Sequence, residues 1–70
     1  MDNTQIIEFT TMDDKFLGRA TIKDGQVTGS SEFVTRLIES WTKIGHSEEE
    51  FMQRFANSAN MAWKSELVTD

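Results

Sequence analysis

The residues best suited to chemistry stand together in the second half of the chain. His46 and Ser47 precede the glutamates Glu48, Glu49 and Glu50, so a base, a hydroxyl and carboxylates are adjacent. Nucleophilic catalysis would also need a third orienting group and a site for an oxyanion. Ser47 and Glu50 have a simpler use, because their spacing is that of a capping box at a helix start. The sequence therefore predicts a protein that is not an enzyme.

Metal and cofactor motifs are not indicated either. One histidine and no cysteine leave no usual zinc site. Asp13, Asp14 and Asp24 do not have the spacing of a calcium loop, and aspartate is common in turns. No glycine-rich phosphate loop is present. We expect neither a metal nor a cofactor.

The overall charge narrows the class of partner. The chain of 70 residues has a formal net charge of −5, which argues against direct binding of nucleic acid, because phosphate binding needs a basic patch. An acidic surface suits a basic protein partner. No apolar run reaches the ~20 residues of a membrane span, and no basic-then-apolar start indicates secretion. We therefore expect a soluble, cytoplasmic protein.

The first thirty residues are patterned as a small sheet. Alternating polarity predicts strands at Gln5–Thr11, Phe16–Lys23 and residues 26–28. The Asp24-Gly25 pair predicts a two-residue type I′ hairpin between the second and third strands. The polar stretch 12–15 predicts the turn between the first two.

Both turns place apolar groups on one face of this sheet. The expected cross-strand pairs are Ile7–Ala20, Phe9–Gly18, Ile22–Val27 and Ala20–Gly29, with Phe9 covering the gap at Gly18. Phe16 is expected on the same face. Ile6 and Leu17 are expected on the outer face, where Glu8 would meet Arg19.

Two helices should cover the apolar face. Residues 31–44 carry apolar side chains at helical spacing, namely Phe33, Val34, Leu37, Ile38, Trp41 and Ile44. Ser30 or Ser31 would cap this helix and Gly45 would end it. A second helix would start at Ser47, with a stripe at Phe51, Met52, Phe55, Ala59, Ala62 and Trp63.

The end of the second helix is the weakest part of this pattern. Asn57, Ser58 and Asn60 are poor residues inside a helix, so a kink is expected there, with residues 61–67 as a separate last helix. The predicted fold class is α+β: a three-stranded antiparallel meander followed by two helices, β-β-β-α-α, in one small domain of residues 1–70.

Acidic side chains without an expected partner point to a binding surface. The first strand starts at the end of the meander where the Asp24 hairpin turns. A helix of about fourteen residues, roughly 21 Å long, could run back along the sheet and bring the next helix start to that end. The predicted partner-binding residues are therefore Asp2, Asp24, Glu48, Glu49 and Glu50. Acids at turns and helix starts have an equally simple structural explanation.

The second half of the chain also resembles a known family. Residues 32–41, the run Ser47-Glu48-Glu49-Glu50-Phe51 and the run Trp63–Leu67 look like the C-terminal half of a prophage anti-CRISPR protein. That family consists of small acidic inhibitors of type II-A Cas9, with a three-stranded sheet and helices. The resemblance implies a phage protein in the host cytoplasm that mimics DNA at the PAM site of a Cas9–guide complex. Glu48, Glu49 and Glu50 match the acidic segment that contacts Cas9.

Two other binding functions remain open. Three strands followed by helices are similar to the leader-peptide recognition domains of peptide-modifying enzymes, where a peptide adds to a sheet edge. Ile6 and Leu17 could instead form the contact of a structural homodimer. The leading hypothesis is a non-catalytic inhibitor, a monomer or a homodimer, that blocks a basic nucleic-acid-binding site on a larger protein.

Overall fold

Five strands form one antiparallel sheet in the order β3-β2-β1-β5-β4, and two helices pack on one of its faces. The computed structural model describes residues 4–45 and 47–68. Its elements in chain order are β1 (Gln5–Thr11), β2 (Phe16–Lys23), β3 (Gln26–Gly29), α1 (Glu32–Lys43), α2 (Glu48–Phe55), β4 (Asn57–Ala59) and β5 (Trp63–Leu67).

The first three strands pair as predicted. Asp24 and Gly25 both have positive φ, 52° and 76°, as a type I′ turn requires. The register places Ile22 opposite Val27 and Glu8 opposite Arg19. The meander is therefore confirmed, with β3 one residue longer than expected.

A β-bulge reverses two of the expected side-chain positions. Phe9 pairs with Gly18 but Thr10 pairs with Phe16, so Leu17 is an extra residue in β2. Phe16 is 59% exposed, whereas Leu17 packs against the core. The prediction for both residues was wrong, because strict alternation along β2 does not continue through a bulge.

The first turn of α1 fills the space above Gly18. Ser31 caps the helix, since its Oγ accepts a hydrogen bond from the Val34 N–H at 3.3 Å and donates one to the Leu17 carbonyl at 2.6 Å. Gly18 has a φ of 138°, and a Cβ there would lie 2.9 Å from Val34 Cγ2 and closer still to Ser31 Oγ. The start of α1, and not Phe9 as expected, therefore fills this gap.

Phe9 lies at the centre of the core and is fully buried. Its ring centroid is 6.2 Å from that of Phe33 in α1, 5.8 Å from Phe55 in α2 and 5.5 Å from Trp63 in β5. The other buried apolar residues are Ile7, Ala20, Ile22, Val34, Ile38 and Phe51. Ile44, predicted in the α1 stripe, is 68% exposed because it is the C-cap of α1.

The predicted β-β-β-α-α architecture is wrong after residue 56. α2 ends at Phe55, and the stretch expected to be helical forms the β4–β5 hairpin. β5 pairs with β1, placing Ser65 opposite Phe9 and Glu66 opposite Glu8. The sheet therefore has five strands instead of three, and β1 is a central strand instead of an edge.

Local chemistry explains why this segment is not a helix. The Asn60 side chain accepts hydrogen bonds from the N–H groups of Ala62 and Trp63, at 2.8 and 2.9 Å, which fixes the turn. Trp63 and Ser65 lie on the core face while Lys64 lies between them on the outer face, which is the alternation of a strand. β5 also satisfies the backbone groups that β1 would expose as an edge.

We expect Gly18→Ala to lower the free energy of unfolding by about 2–4 kcal/mol, because it combines positive φ with a collision against Ser31 and Val34. Gly45→Ala is the matched control, since Gly45 has a φ of 89° with nothing within 4 Å of an added Cβ. Urea denaturation of both variants measures the difference. Equal losses would contradict close packing of α1 on Gly18.

We expect Ser65→Ala to leave stability unchanged or to raise it by up to about 1 kcal/mol. Ser65 is 4% exposed, and its hydroxyl has no hydrogen-bond partner among residues 4–45 and 47–68. Ser31→Ala serves as the control, with a loss of about 1–2 kcal/mol, because that hydroxyl caps α1. A clear loss of stability in Ser65→Ala would show that its hydroxyl is hydrogen-bonded.

Candidate functional site

Three of the acidic residues predicted from sequence, Asp24, Glu49 and Glu50, have exposed side chains, and they lie in two places. Asp24 is in the turn between β2 and β3, and Glu48, Glu49 and Glu50 form the first turn of α2. Asp2 lies outside the described residues, as does the side chain of Glu48. The role of these five residues in partner binding stays a prediction.

The predicted capping box at the start of α2 is confirmed. The Ser47 Oγ accepts a hydrogen bond from the Glu50 N–H, and the Glu50 carboxylate accepts one from the Ser47 N–H, both at 3.3 Å. The Ser47 hydroxyl and the Glu50 carboxylate therefore already stabilise the helix. His46, the proposed base beside them, lies outside the described residues.

The face of the sheet opposite the helices carries the main cluster of charges. Strand pairing aligns one row of side chains across four strands: Arg19 on β2, Glu8 on β1, Glu66 on β5 and Asn57 on β4. The neighbouring row contains Phe16, Thr10, Lys64 and Ala59 on the same four strands. We call the row that contains both glutamates the acidic row.

Arg19 neutralises one carboxylate of the acidic row. Its Nε and Nη2 atoms both donate hydrogen bonds to Glu8 Oε2, at 3.2 and 3.1 Å. The Arg19 guanidinium also lies 5.5 Å from the centre of the Phe16 ring, within the range of a cation–π contact. The bulge that exposes Phe16 therefore places an aromatic ring beside this ion pair.

Glu66 lies directly across from Glu8 on the neighbouring strand. In the described part of the chain its carboxylate makes no ion pair or hydrogen bond. Like charges at directly opposite positions of an antiparallel pair destabilise the sheet. The acidic row therefore contains two carboxylates for one guanidinium, and Glu66 interacts with Lys64 of the neighbouring row only through the attraction of their charges.

A second ion pair borders this cluster. Lys64 Nζ lies 2.6 Å from Asp14 Oδ1 and joins β5 to the turn between β1 and β2. The hydrogen bond to Asp14 and the attraction of its charge raise the pKa of Lys64 above its ordinary 10.5, with a smaller contribution from Glu66. Asp14 is therefore paired.

A groove runs over the acidic row and its neighbour. We call it the sheet groove; it has a volume of about 360 Å³ and is lined mainly by Glu8, Thr10, Asp14, Asn57, Lys64 and Glu66. A second, shallower groove of about 450 Å³ lies between α1 and Trp63. The sheet groove is the better candidate site, because charged groups from β1, β5 and the turn between β1 and β2 converge in it.

The sequence did not reveal the sheet groove because residues 61–67 were read as a helix. The signal was present in the alternation of Trp63, Lys64, Ser65 and Glu66, which is typical of a strand with one face buried. The contact between Glu8 and Arg19, by contrast, was predicted and is confirmed.

Neither a metal site nor a membrane-spanning helix is found in the described ranges. No group of three or more histidine, aspartate or glutamate side chains there has the geometry to hold a metal ion. None of the helices described is long and apolar enough to cross a membrane.

We expect Glu66→Gln to raise the free energy of unfolding by about 0.2–1 kcal/mol at low salt, because it removes the repulsion from Glu8. The gain should disappear in 1 M salt. Glu8→Gln removes the same repulsion but weakens the pair with Arg19, so its gain should be smaller or absent. Thermal unfolding of both variants at two salt concentrations gives the comparison, and a loss in Glu66→Gln would show that Glu66 has a stabilising partner.

Comparisons with known proteins do not assign this chain to a family. No protein-family model, curated protein or solved structure matches it. Its function must therefore be inferred from the charges, the sheet groove and the strand edges.

Proposed function

We propose that this chain is a non-catalytic binding protein that covers a basic, nucleic-acid-binding surface of a larger protein. The observation that carries the proposal is the exposed Glu66 carboxylate opposite Glu8 on the helix-free face, where the single guanidinium, that of Arg19, is paired with Glu8. The net charge of −5 supports the same class of partner. Such a protein acts by competing with DNA or RNA for the basic surface, in the host cytoplasm.

A basic partner would relieve the repulsion already present in the acidic row. An arginine or lysine placed between Glu8 and Glu66 removes an unfavourable interaction of the free protein and adds a favourable one. Because the groups are exposed to solvent, the attraction is screened by salt and mainly raises the association rate and selectivity.

The resemblance to anti-CRISPR inhibitors supplies one specific candidate, the guide-loaded type II-A Cas9. Under this hypothesis the acids of α2, Glu48 to Glu50, contact the PAM-reading site. The sheet departs from the expected three strands, since residues 63–67 are β5. The Cas9 hypothesis therefore rests on the acidic character and the matching residues in α2.

The fold affects the two alternative functions, the homodimer and the peptide-binding adaptor, in different ways. The proposed homodimer contact through Ile6 and Leu17 loses one member, because Leu17 packs against the core. The peptide-binding adaptor would need a full third helix, which the described residues do not form, and a sheet edge beside a groove, which β4 provides at the sheet groove. Peptide binding is therefore the second candidate function.

The general proposal is tested with a basic heptapeptide in which arginine and threonine alternate, followed by NMR titration. We expect chemical-shift changes centred on β5 at low salt, weaker binding at high salt, and no binding of the glutamate–threonine counterpart. Glu66→Lys should weaken binding at least tenfold, whereas Glu39→Lys, an exposed change on α1, should not. Absence of binding, or equal binding by Glu66→Lys, would overturn the proposal for this surface.

The Cas9 candidate is tested by target-DNA binding of the Cas9–guide complex with and without the protein, at two salt concentrations. Inhibition that Glu48→Lys with Glu49→Lys abolishes would assign the contact to α2. Inhibition lost only in Glu66→Lys would assign it to the acidic row. No effect on several type II-A enzymes would remove Cas9 as the partner.

A further inference from the structure

β4 is a terminal strand of the sheet, and part of its backbone points outward. The Leu67 N–H donates to the Ala56 carbonyl at 2.7 Å, and the Asn60 N–H donates to the Trp63 carbonyl at 2.9 Å. Hydrogen-bonded pairs alternate with non-bonded pairs in an antiparallel ladder. The N–H and C=O groups of Asn57 and Ala59 therefore point away from β5, towards the free edge.

The side chains of the same two residues face the sheet groove. Asn57 pairs with Glu66 and Ala59 pairs with Lys64, and all four residues line that groove. A residue of an added strand opposite Asn57 would place its side chain on this face, at the end of the acidic row. The backbone of the added residue would lie two strand spacings, about 10 Å, from the backbone of Glu66. An arginine side chain on the added strand and the Glu66 side chain, extending towards each other, are together long enough to meet across this distance.

The opposite edge of the sheet does not offer the same match. On β3, the Ser30 N–H donates to the Arg19 carbonyl, so the outward backbone groups belong to Val27 and Gly29. A strand added there would direct the side chains opposite Val27 towards the helical face, where α1 packs on β3. On the outer face of that edge, Gln26 pairs with the cationic Lys23. The two cations beside β4 already have partners, since Arg54 donates to Ser58 and Lys64 is paired with Asp14. β4 is therefore the edge that suits a basic segment, because Glu66 lies one strand away on its outer face.

We infer that a basic, extended segment of the partner protein adds to β4 as a sixth strand, with an arginine or lysine opposite Asn57 directed at Glu66. This inference rests on the proposed function, since it names how the basic partner is held. Backbone hydrogen bonds to Asn57 and Ala59 supply the affinity, and the acidic row supplies the preference for a cation. Because β4 has only three residues, few backbone bonds form and the side-chain contact decides the selectivity.

The test is amide hydrogen exchange of the wild-type protein, followed by NMR, with and without the arginine–threonine heptapeptide. We expect exchange at Asn57 and Ala59 to slow at least tenfold when the peptide is bound, because their N–H groups become hydrogen-bonded. Exchange at Val27 and Gly29 should not change. Protection of Val27 and Gly29 instead, or of neither pair while the peptide is bound, would overturn strand addition at β4.

A synthetic chain provides the matched variant. N-methylation of Ala59 removes an outward donor without changing the side chain or a bond to β5, and should weaken peptide binding more than tenfold. N-methylation of Val27 at the other edge should change binding less than twofold. The circular dichroism spectrum and unfolding midpoint of each chain confirm that it folds.

The outcomes separate the inference from the proposed function. Binding that is lost in Glu66→Lys but retained with N-methyl-Ala59 means that the acidic row binds the peptide without strand addition, so the inference fails alone. No binding of the basic peptide by the wild-type chain overturns both. Binding that needs both Glu66 and the Ala59 N–H supports both.

Discussion

The packing of Phe9 joins both helices and β5 at the centre of the core. Its ring contacts α1 through Phe33, α2 through Phe51 and Phe55, and β5 through Trp63. A chain of this size buries only roughly 60% of the surface that its unfolded state exposes. Its core is therefore small, and both helices pack on the same cluster of aromatic rings around Phe9. Because both helices have to reach the same ring, both lie on the same face of the sheet.

That constraint leaves the second face of the sheet to solvent. Antiparallel sheets tolerate one solvated face when it carries polar side chains, and Glu8, Thr10, Lys64 and Glu66 on β1 and β5 fit this rule. The same face could have been neutral. Instead Glu66 stands opposite Glu8 with Arg19 as the nearby counterion, an arrangement that folding alone does not favour. The repulsion between these two carboxylates opposes folding, and it lies on a face that the helices leave exposed.

Sequence patterns were sufficient where the interactions that decide the structure are local. The Asp24-Gly25 turn, the Ser31 cap and the Ser47–Glu50 capping box each involve residues a few positions apart, and all are confirmed. The bulge at Leu17 was missed because it depends on the helix that fills the space beside Gly18. The β4–β5 hairpin was missed because β5 is selected by pairing with β1, more than fifty residues away in the sequence.

The same long-range pairing creates both parts of the candidate site. Had residues 57–67 continued as a helix, β1 would be an edge strand and Glu8 would face only Arg19. When the chain returns as a hairpin, β5 brings Glu66 across from Glu8, and β4 becomes the new edge beside them. The excess of carboxylates in the acidic row and the outward backbone groups of β4 therefore both result from the pairing of the β4–β5 hairpin with β1. Because these two features exist together only in the folded chain, a partner that required both would distinguish this protein from an unfolded chain of the same charge.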